Sequence, residues 1–381
     1  MWTPLISRLP DLAPAAVKTS AFTHARTRLP VKAMTTLAEW SCREAHAAPV
    51  TWKGLRLRAF DGTTVSMPGE PDLIEHFGLH NTKHGPTRYP LARLVSLLDI
   101  GECRFAGCRF GPHRTGEIST ARELMPLVEP CDLILIDRGF TGSPTMARIR
   151  ARNAHFLGRK NARLKVEKVK IVKKLGRKDW IVELPVSIPA RKEDPALPAT
   201  VTVRLFKAQW RAPSGARVTE WFVTSLMDPV EFPRKVLAAL YHERWTIETS
   251  YREFKRVFHS DVLRSKTVGN VYKEMAGHVV AYQLVRGVMV DAARRRAKKP
   301  TAVSFVNAAR WVLGFSRIMA YARVEELPRL YEIMLDVIAA DEVDVRPGRM
   351  EPRAIRREWK HYPCLRMTRA EWRRAQAVER N

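Results

Sequence analysis

The segment DLILIDRGF, residues 132–140, decides how this chain is read. Leu133 to Ile136 form a short continuous apolar run, which suits a strand covered on both faces. Asp137 ends the run and Gly139 permits a turn. Ser143-Pro144 then starts a helix, with serine at the cap and proline at the first helical position. The unit is strand, acid, loop, helix, and in open α/β sheets sites gather at such strand ends.

Upstream, LRLRAFD (55–61) alternates. Leu55, Leu57, Ala59 and Asp61 share one face of a strand, with Arg56, Arg58 and Phe60 on the other. The inward face of this strand also ends in an acid. LARLVSLLDI (91–100) and CRFAGCRF (103–110) read as two further strands, and a helix is expected from Ser119 to about Val128, with Ser119 or Thr120 near the cap. Residues 1–50 hold proline-punctuated segments and one expected helix, 31–47. Downstream, residues 159–178 contain ten basic side chains and one acid. Strand-like runs follow at 180–188, 200–206 and 217–226, separated by proline-bearing loops. Helical patterns occupy about 270–298, 302–316 and 326–340. The tail, 344–381, carries eleven Arg or Lys against five acids, with Trp359 and Trp372 interspersed.

With 381 residues and 45% hydrophobic content, the chain can bury a large core, with more than one substructure. Lys and Arg total 66 against 39 acids, a net charge of +27. Such a charge repels itself unless a polyanion offsets it, and nucleic acid is the commonest one. An anionic membrane surface is the competitor, but it usually needs a compact basic amphipathic helix or a lipid signal. Here the charge runs almost the whole length, and the apolar stretch 278–290 is broken by Arg286 and reads as a buried helix. No signal peptide is legible in the first thirty residues, with Arg8, Asp11 and Lys18 among scattered prolines. Five dispersed cysteines form no zinc-site spacing and fit a reducing cytosol.

The stretch YHERWTIETSYREFK (241–255) mixes an acid with cations. On one continuous helix, Tyr241, Arg244, Glu248 and Lys255 fall within about 60° of one another, on a stripe roughly 21 Å long, with Arg252 at its margin. Leu240, Ile247, Tyr251, Phe254 and Phe258 cluster beside that stripe, so one flank can be buried while the polar line faces a cleft. An ordinary amphipathic helix with an Arg244–Glu248 ion pair reads the same residues.

Asp61, Asp137 and Glu248 stand out by placement. If the two strands are neighbours and the helix packs across them, three carboxylates meet at one edge of the sheet and raise one another's pKa. Oxygen-only ligation suits Mg²⁺ or Mn²⁺, and two such ions can activate a nucleophile and stabilise a leaving oxygen in phosphoryl transfer. Either aspartate alone is also what a turn calls for.

With these residues in place, the chain resembles an insertion-sequence transposase of the DDE type, in the subgroup marked by Y-x2-R-x3-E-x6-K. Tyr241, Arg244, Glu248 and Lys255 meet that spacing in full. DGTT (61–64), LIDRGF (135–140) and the β-rich stretch between the second aspartate and the glutamate match as well, so the resemblance covers roughly residues 50 to 300. It implies an α/β, ribonuclease H-like mixed sheet flanked by helices and interrupted by a β-rich insertion, with a helical C-terminal part. The expected division is a short N-terminal helical region (1–50), the first part of the catalytic core (51–160), the insertion (161–235), the core helix and those that follow it (236–300), and a helical, basic C-terminal region (301–381). Asp61, Asp137 and Glu248 are implied to hold Mg²⁺, with Mn²⁺ able to substitute. Tyr241, Arg244, Arg252, Lys255 and Arg138 are implied to contact DNA. The implied reaction is hydrolysis at the element's end and attack of the freed 3′-OH on target DNA, by a homodimer on double-stranded DNA in the bacterial cytoplasm, associated with the nucleoid and not with membrane. A Trp from the insertion stacks on a flipped base in such relatives; Trp210 and Trp221 are the candidates, against core packing. A catalytically inactive DNA-binding remnant and a nuclease of the same fold without strand transfer are the alternatives. Sixty residues precede Asp61, and no clear helix-turn-helix is legible among them. The expectation is a shortened copy, or one that reads its ends with the insertion and tail.

Overall fold

The computed structural model describes residues 19–43, 51–82, 85–211 and 217–343. Two helices come first, α1 (Thr19–Arg28) and α2 (Val31–Arg43). They are followed by β1 (Thr51–Trp52), β2 (Leu55–Ser66), α3 (Pro71–Phe77) and a small hairpin, β3 (Asn81–Thr82) and β4 (Gly85–Pro86). Next are β5 (Leu91–Asp99), β6 (Arg104–Pro112), α4 (Glu117–Arg122), β7 (Asp132–Ile136), α5 (Ser143–Ala151) and β8 (His155–Arg159). Then come β9 (Lys170–Gly176), β10 (Asp179–Pro185), α6 (Ile188–Glu193), β11 (Thr200–Arg211) and β12 (Arg217–Thr224). The helices α7 (Arg234–Tyr241), α8 (Trp245–Phe258), α9 (Val268–Arg295), α10 (Phe305–Met319) and α11 (Leu327–Ala340) complete the described chain.

One ten-stranded sheet organises the molecule, in the order β6-β5-β2-β7-β8-β12-β11-β10-β9, with β1 added to β2. The pairs β2–β7 and β7–β8 are parallel and the other pairs antiparallel, so the fold is mixed α/β. The apolar run of β7 sits in the interior of this sheet, and Leu133 to Ile136 are fully buried. Its first residue, Asp132, is buried because Arg56 and Arg58 of β2 donate to its two oxygens at 2.8 and 2.9 Å. Burying a charge without such partners would cost several kcal/mol, which is why the acid and the two arginines belong together.

Alternation along β2 divides the core. Ala59 faces a cluster built with helices α7 to α11, whereas Phe60 faces one built with α4 and α5. Each face of the central strands is therefore covered, as a near-continuous apolar strand requires. Strands β9 to β12 prolong the same sheet, through Phe222↔Arg159, Val223↔Gly158 and Thr224↔Leu157. Their far end is anchored by Arg204, 1% exposed, which donates twice to Asp179 and once to the Phe232 carbonyl.

Two expectations are corrected. The helix expected from Ser119 to about Val128 is shorter and starts earlier: α4 follows Gly116 at φ 81°, and a 3₁₀ turn takes over at Met125–Leu127. Pro126 explains the early end, since it has no N–H to continue the helical ladder. The signature stretch is not one continuous helix. It ends α7 at Tyr241, passes through a 3₁₀ turn at His242–Arg244, and restarts as α8 at Trp245. Of the expected helix 31–47, Val31–Arg43 is described. Residues 44–50 lie outside the described residues, as does the basic tail from 344 on. Among the described residues no helix is long and apolar enough to cross a membrane.

Candidate active site

Parallel pairing brings the two aspartates level. The β2–β7 register runs Arg58↔Ile134 and Ala59↔Leu135. Two residues further along each strand stand Asp61 and Asp137, on chains that a parallel ladder holds about 5 Å apart. Asp61 lies within β2 and is also paired with Ser96 of β5. Asp137 follows the last residue of β7, and its Oδ1 accepts the N–H groups of Gly139 at 2.8 Å and Phe140 at 3.1 Å. The aspartate is thus a turn former and a strand-end acid at once.

Helix α8 is fastened along β2 by two side chains. The Tyr251 hydroxyl donates to the Asp61 carbonyl at 2.7 Å and lies 2.7 Å from the Ser96 hydroxyl, which can donate to it. One turn later Lys255 Nζ donates to the Thr64 carbonyl at 2.7 Å. Glu248 sits one turn before Tyr251, and so is carried toward Asp61. Arg244 joins the two acids. Its Nη2 donates to Glu248 Oε1 at 2.7 Å and its Nη1 stands 4.0 Å from Asp61 Oδ2.

The electrostatics follow from burial and crowding. Burial pushes the Asp61 carboxyl up to about 7, with Glu117 and Asp137 adding repulsion and the Gly62 N–H and Arg244 opposing it. Burial also raises Glu117, and Asp137 adds to that rise. Arg244 is itself buried, yet Tyr241, Glu248 and Asp61 together hold its pKa above the usual value. These acids are an all-oxygen donor set whose charges oppose one another, and that chemistry fits a hard divalent cation. Among the described residues, no three such side chains are gathered closely enough to enclose one ion. The Arg244 guanidinium stands between Asp61 and Glu248.

The remaining expected residues are distributed differently. Tyr241 is buried, its ring edge-on to Phe222, and its hydroxyl has no hydrogen-bond partner among the described residues. The guanidinium carbons of Arg159 and Arg244 each stand 5.9 Å from that ring. Arg252 is exposed on α8. Arg138 pairs with Glu220 of β12. Trp221 packs against Trp180 at 5.3 Å, partly inside the second core cluster. The side chain of Trp210 lies outside the described residues. Sequence reading missed Glu117, which the fold brings beside the first aspartate; the one local signal was the glycine that follows Asp61.

Fold and site together define a mixed α/β protein whose acidic centre lies where its parallel strands end. The family described as "Transposase DDE domain" matches residues 52–284, a span that holds Asp61, Asp137 and Glu248, and the chain belongs to that family. It is 28% identical over 373 residues to the transposase InsG for insertion sequence element IS4 of Escherichia coli strain K12, covering 94% of this chain and 81% of that one. The putative transposase InsZ of the same strain is 28% identical over 109 residues, 28% of this chain and 36% of that protein. A solved structure, the piggyBac transposase synaptic complex with hairpin DNA, aligns with a TM-score of 0.47 at 12% identity, covering 88% of this chain and 67% of that chain.

Proposed function

We propose that this chain is a metal-dependent transposase that cleaves double-stranded DNA at the ends of an insertion element and joins the freed end to target DNA, on a ribonuclease H-like core. The reading is carried by one observation: Asp61, within β2, is level with Asp137, which follows the end of the parallel neighbour β7, and Arg244 links Glu248 to the same place. In this reading Asp61, Asp137 and Glu248 hold Mg²⁺, or Mn²⁺ in its place, which when bound would activate the attacking oxygen and stabilise the leaving one. In the same reading Arg252, exposed on α8, contacts the substrate backbone, and Arg244, Lys255 and Arg138 would do so on leaving Glu248, the Thr64 carbonyl and Glu220, arginine offering a fork matched to phosphate; Tyr241 is buried and backs Arg244 instead. Arg244 has two functions here. Without DNA it neutralises the acids; with a phosphate on its guanidinium, Glu248 would be free to help hold the ion. The domain division at residues 50, 160, 235 and 300, and a homodimer formed on DNA, are part of the same proposal.

The test is a duplex carrying the element's own ends, incubated with purified protein and Mg²⁺. Strand cleavage, followed by joined products from pre-cut ends, is expected. A second reading, a DNA-binding remnant without chemistry, is favoured by the engagement of Glu248 with Arg244. DNA binding with a steep salt dependence and no nicking in Mn²⁺ would select it.

A further inference from the structure

Helices α8, α9 and α10 frame an apolar groove of about 760 Å³. Leu284 of α9 is 61% exposed there, and Val306 and Leu313 of α10 are 43% and 55% exposed. Large apolar side chains gathered on one exposed surface mark a place that something covers. Arg256 of α8 and Arg310 of α10 also line the groove, and both are exposed. The groove therefore suits an apolar occupant that carries acids.

The chain itself leads to this groove. After α11, Asp341 Oδ1 accepts from Asn307 Nδ2 at 3.1 Å, and the Val343 N–H donates to the Ala302 carbonyl at 2.8 Å. Those two partners flank Val306, in the first turn of α10. Residues 344–381 thus leave the fold beside one end of the groove. Within them, EPRAIRREWKHY (351–362) carries a matching pattern. Pro352 suits a first helical turn and Pro363 ends one. On such a helix Ile355, Trp359 and Tyr362 fall within about 60° of one another, at the i, i+4, i+7 spacing of a helix laid in a groove. Glu351 and Glu358 lie along one edge of that stripe, about 40–60° from Ile355. Arg353, Arg356, Arg357 and Lys360 lie about 100–200° from Ile355, on the far side. The helix would be roughly 16 Å long, against about 15 Å of α10 from Val306 to Ser316. The linking residues 344–351 can span roughly 26 Å, enough to reach any point along it.

We propose that residues 351–362 form an amphipathic helix that docks in this groove of their own chain. Ile355, Trp359 and Tyr362 cover Leu284, Val306 and Leu313, and Glu351 and Glu358 turn toward Arg256 and Arg310. The four cations then face outward, so that docking replaces an apolar surface with a basic one suited to phosphate.

The test is photo-crosslinking of the full chain, with p-benzoylphenylalanine in place of Leu313 or, in a second protein, in place of Leu284. Either protein carries the test if the other misfolds. Heavy-isotope-labelled and unlabelled protein are mixed before irradiation, and the linked peptides are read by mass spectrometry. Links to residues 351–362 within single chains, labelled to labelled and unlabelled to unlabelled, are expected. Trp359→Asp should lower their yield by at least about fivefold, as the loss of an aromatic anchor does. Glu351→Lys with Glu358→Lys should lower it too, and adding Arg256→Glu with Arg310→Glu should restore it. Links to residues 1–18 instead, links between labelled and unlabelled copies, or no links from either position would overturn the proposal. An unchanged yield in Trp359→Asp would do the same.

Discussion

Arg244 Nη2 donates to Glu248 Oε1 at 2.7 Å, and the other end of the same guanidinium stands 4.0 Å from Asp61. With 6% of Arg244 exposed, this cation is the counter-charge of the acidic centre in the absence of ions. Arg244→Ala should therefore destabilise the metal-free protein by about 1–3 kcal/mol, since it strands two acids, one of them partly solvated. Arg244→Lys should recover little, because one ammonium cannot span both carboxylates as the planar fork does. Added Mg²⁺ is expected to stabilise Arg244→Ala more than the parent in urea unfolding. Equal stabilisation would show that Arg244 and the ion do not compete for the acids.

Asp61 makes stability depend on pH in a defined direction. Its carboxyl titrates near 3.8 in the unfolded chain and at about 7 in the folded one. The folded state thus holds this proton more tightly. The group's contribution is fully present below the unfolded value and lost as pH rises through the folded one. Asp61→Asn does not titrate and escapes the loss. In metal-free buffer its stability relative to the parent should rise by about 2 kcal/mol between about pH 5 and pH 8, allowing for partial solvation. Parallel stability curves for variant and parent would contradict the burial assigned to Asp61.

Tyr251 fixes the position of Glu248 through backbone geometry. Its buried hydroxyl serves both the Asp61 carbonyl and the Ser96 hydroxyl, each at 2.7 Å. Tyr251→Phe should cost about 1–2 kcal/mol in unfolding, the usual penalty for stranding buried partners. Cleavage should fall further than stability does, since α8 is then held to β2 mainly by Lys255. An unfolding midpoint equal to the parent's would remove Tyr251 from the site's framework.

The edge strand β9 offers a cationic surface. Lys170, Lys173 and Lys174 are exposed along it, and Arg177 and Lys178 follow in the turn to β10. Neutralising Lys173, Lys174, Arg177 and Lys178 together should reduce the slope of log affinity against log salt by up to about 3.6, at 0.9 per phosphate contact. An unchanged slope would place the DNA elsewhere.

Much of this was legible in residues alone. Apolar continuity marked β7 as interior, and alternation put Asp61 on the helix-covered face of β2. The break between Tyr241 and Trp245 was not legible, because no glycine or proline announces it. Long-range packing makes it: the Tyr241 ring is edge-on to Phe222, and Arg244 is drawn to Asp61. The resemblance implies Lys255 as a DNA contact on a polar stripe, and in the fold its ammonium is committed to the Thr64 carbonyl. No local pattern could show this, since the acceptor is 191 positions away. Glu117 was invisible for the same reason. Its neighbours in sequence describe an ordinary helix start, and only the fold brings it over Gly62.

The central claim is that carboxylates gathered from β2, β7 and α8 carry out metal-dependent chemistry on DNA. It is tested most directly by Asp137→Asn, assayed for both DNA binding and strand cleavage on the element's ends in Mg²⁺. The predicted result is DNA affinity close to the parent's with cleavage abolished. A variant that cuts as fast as the parent would contradict the account.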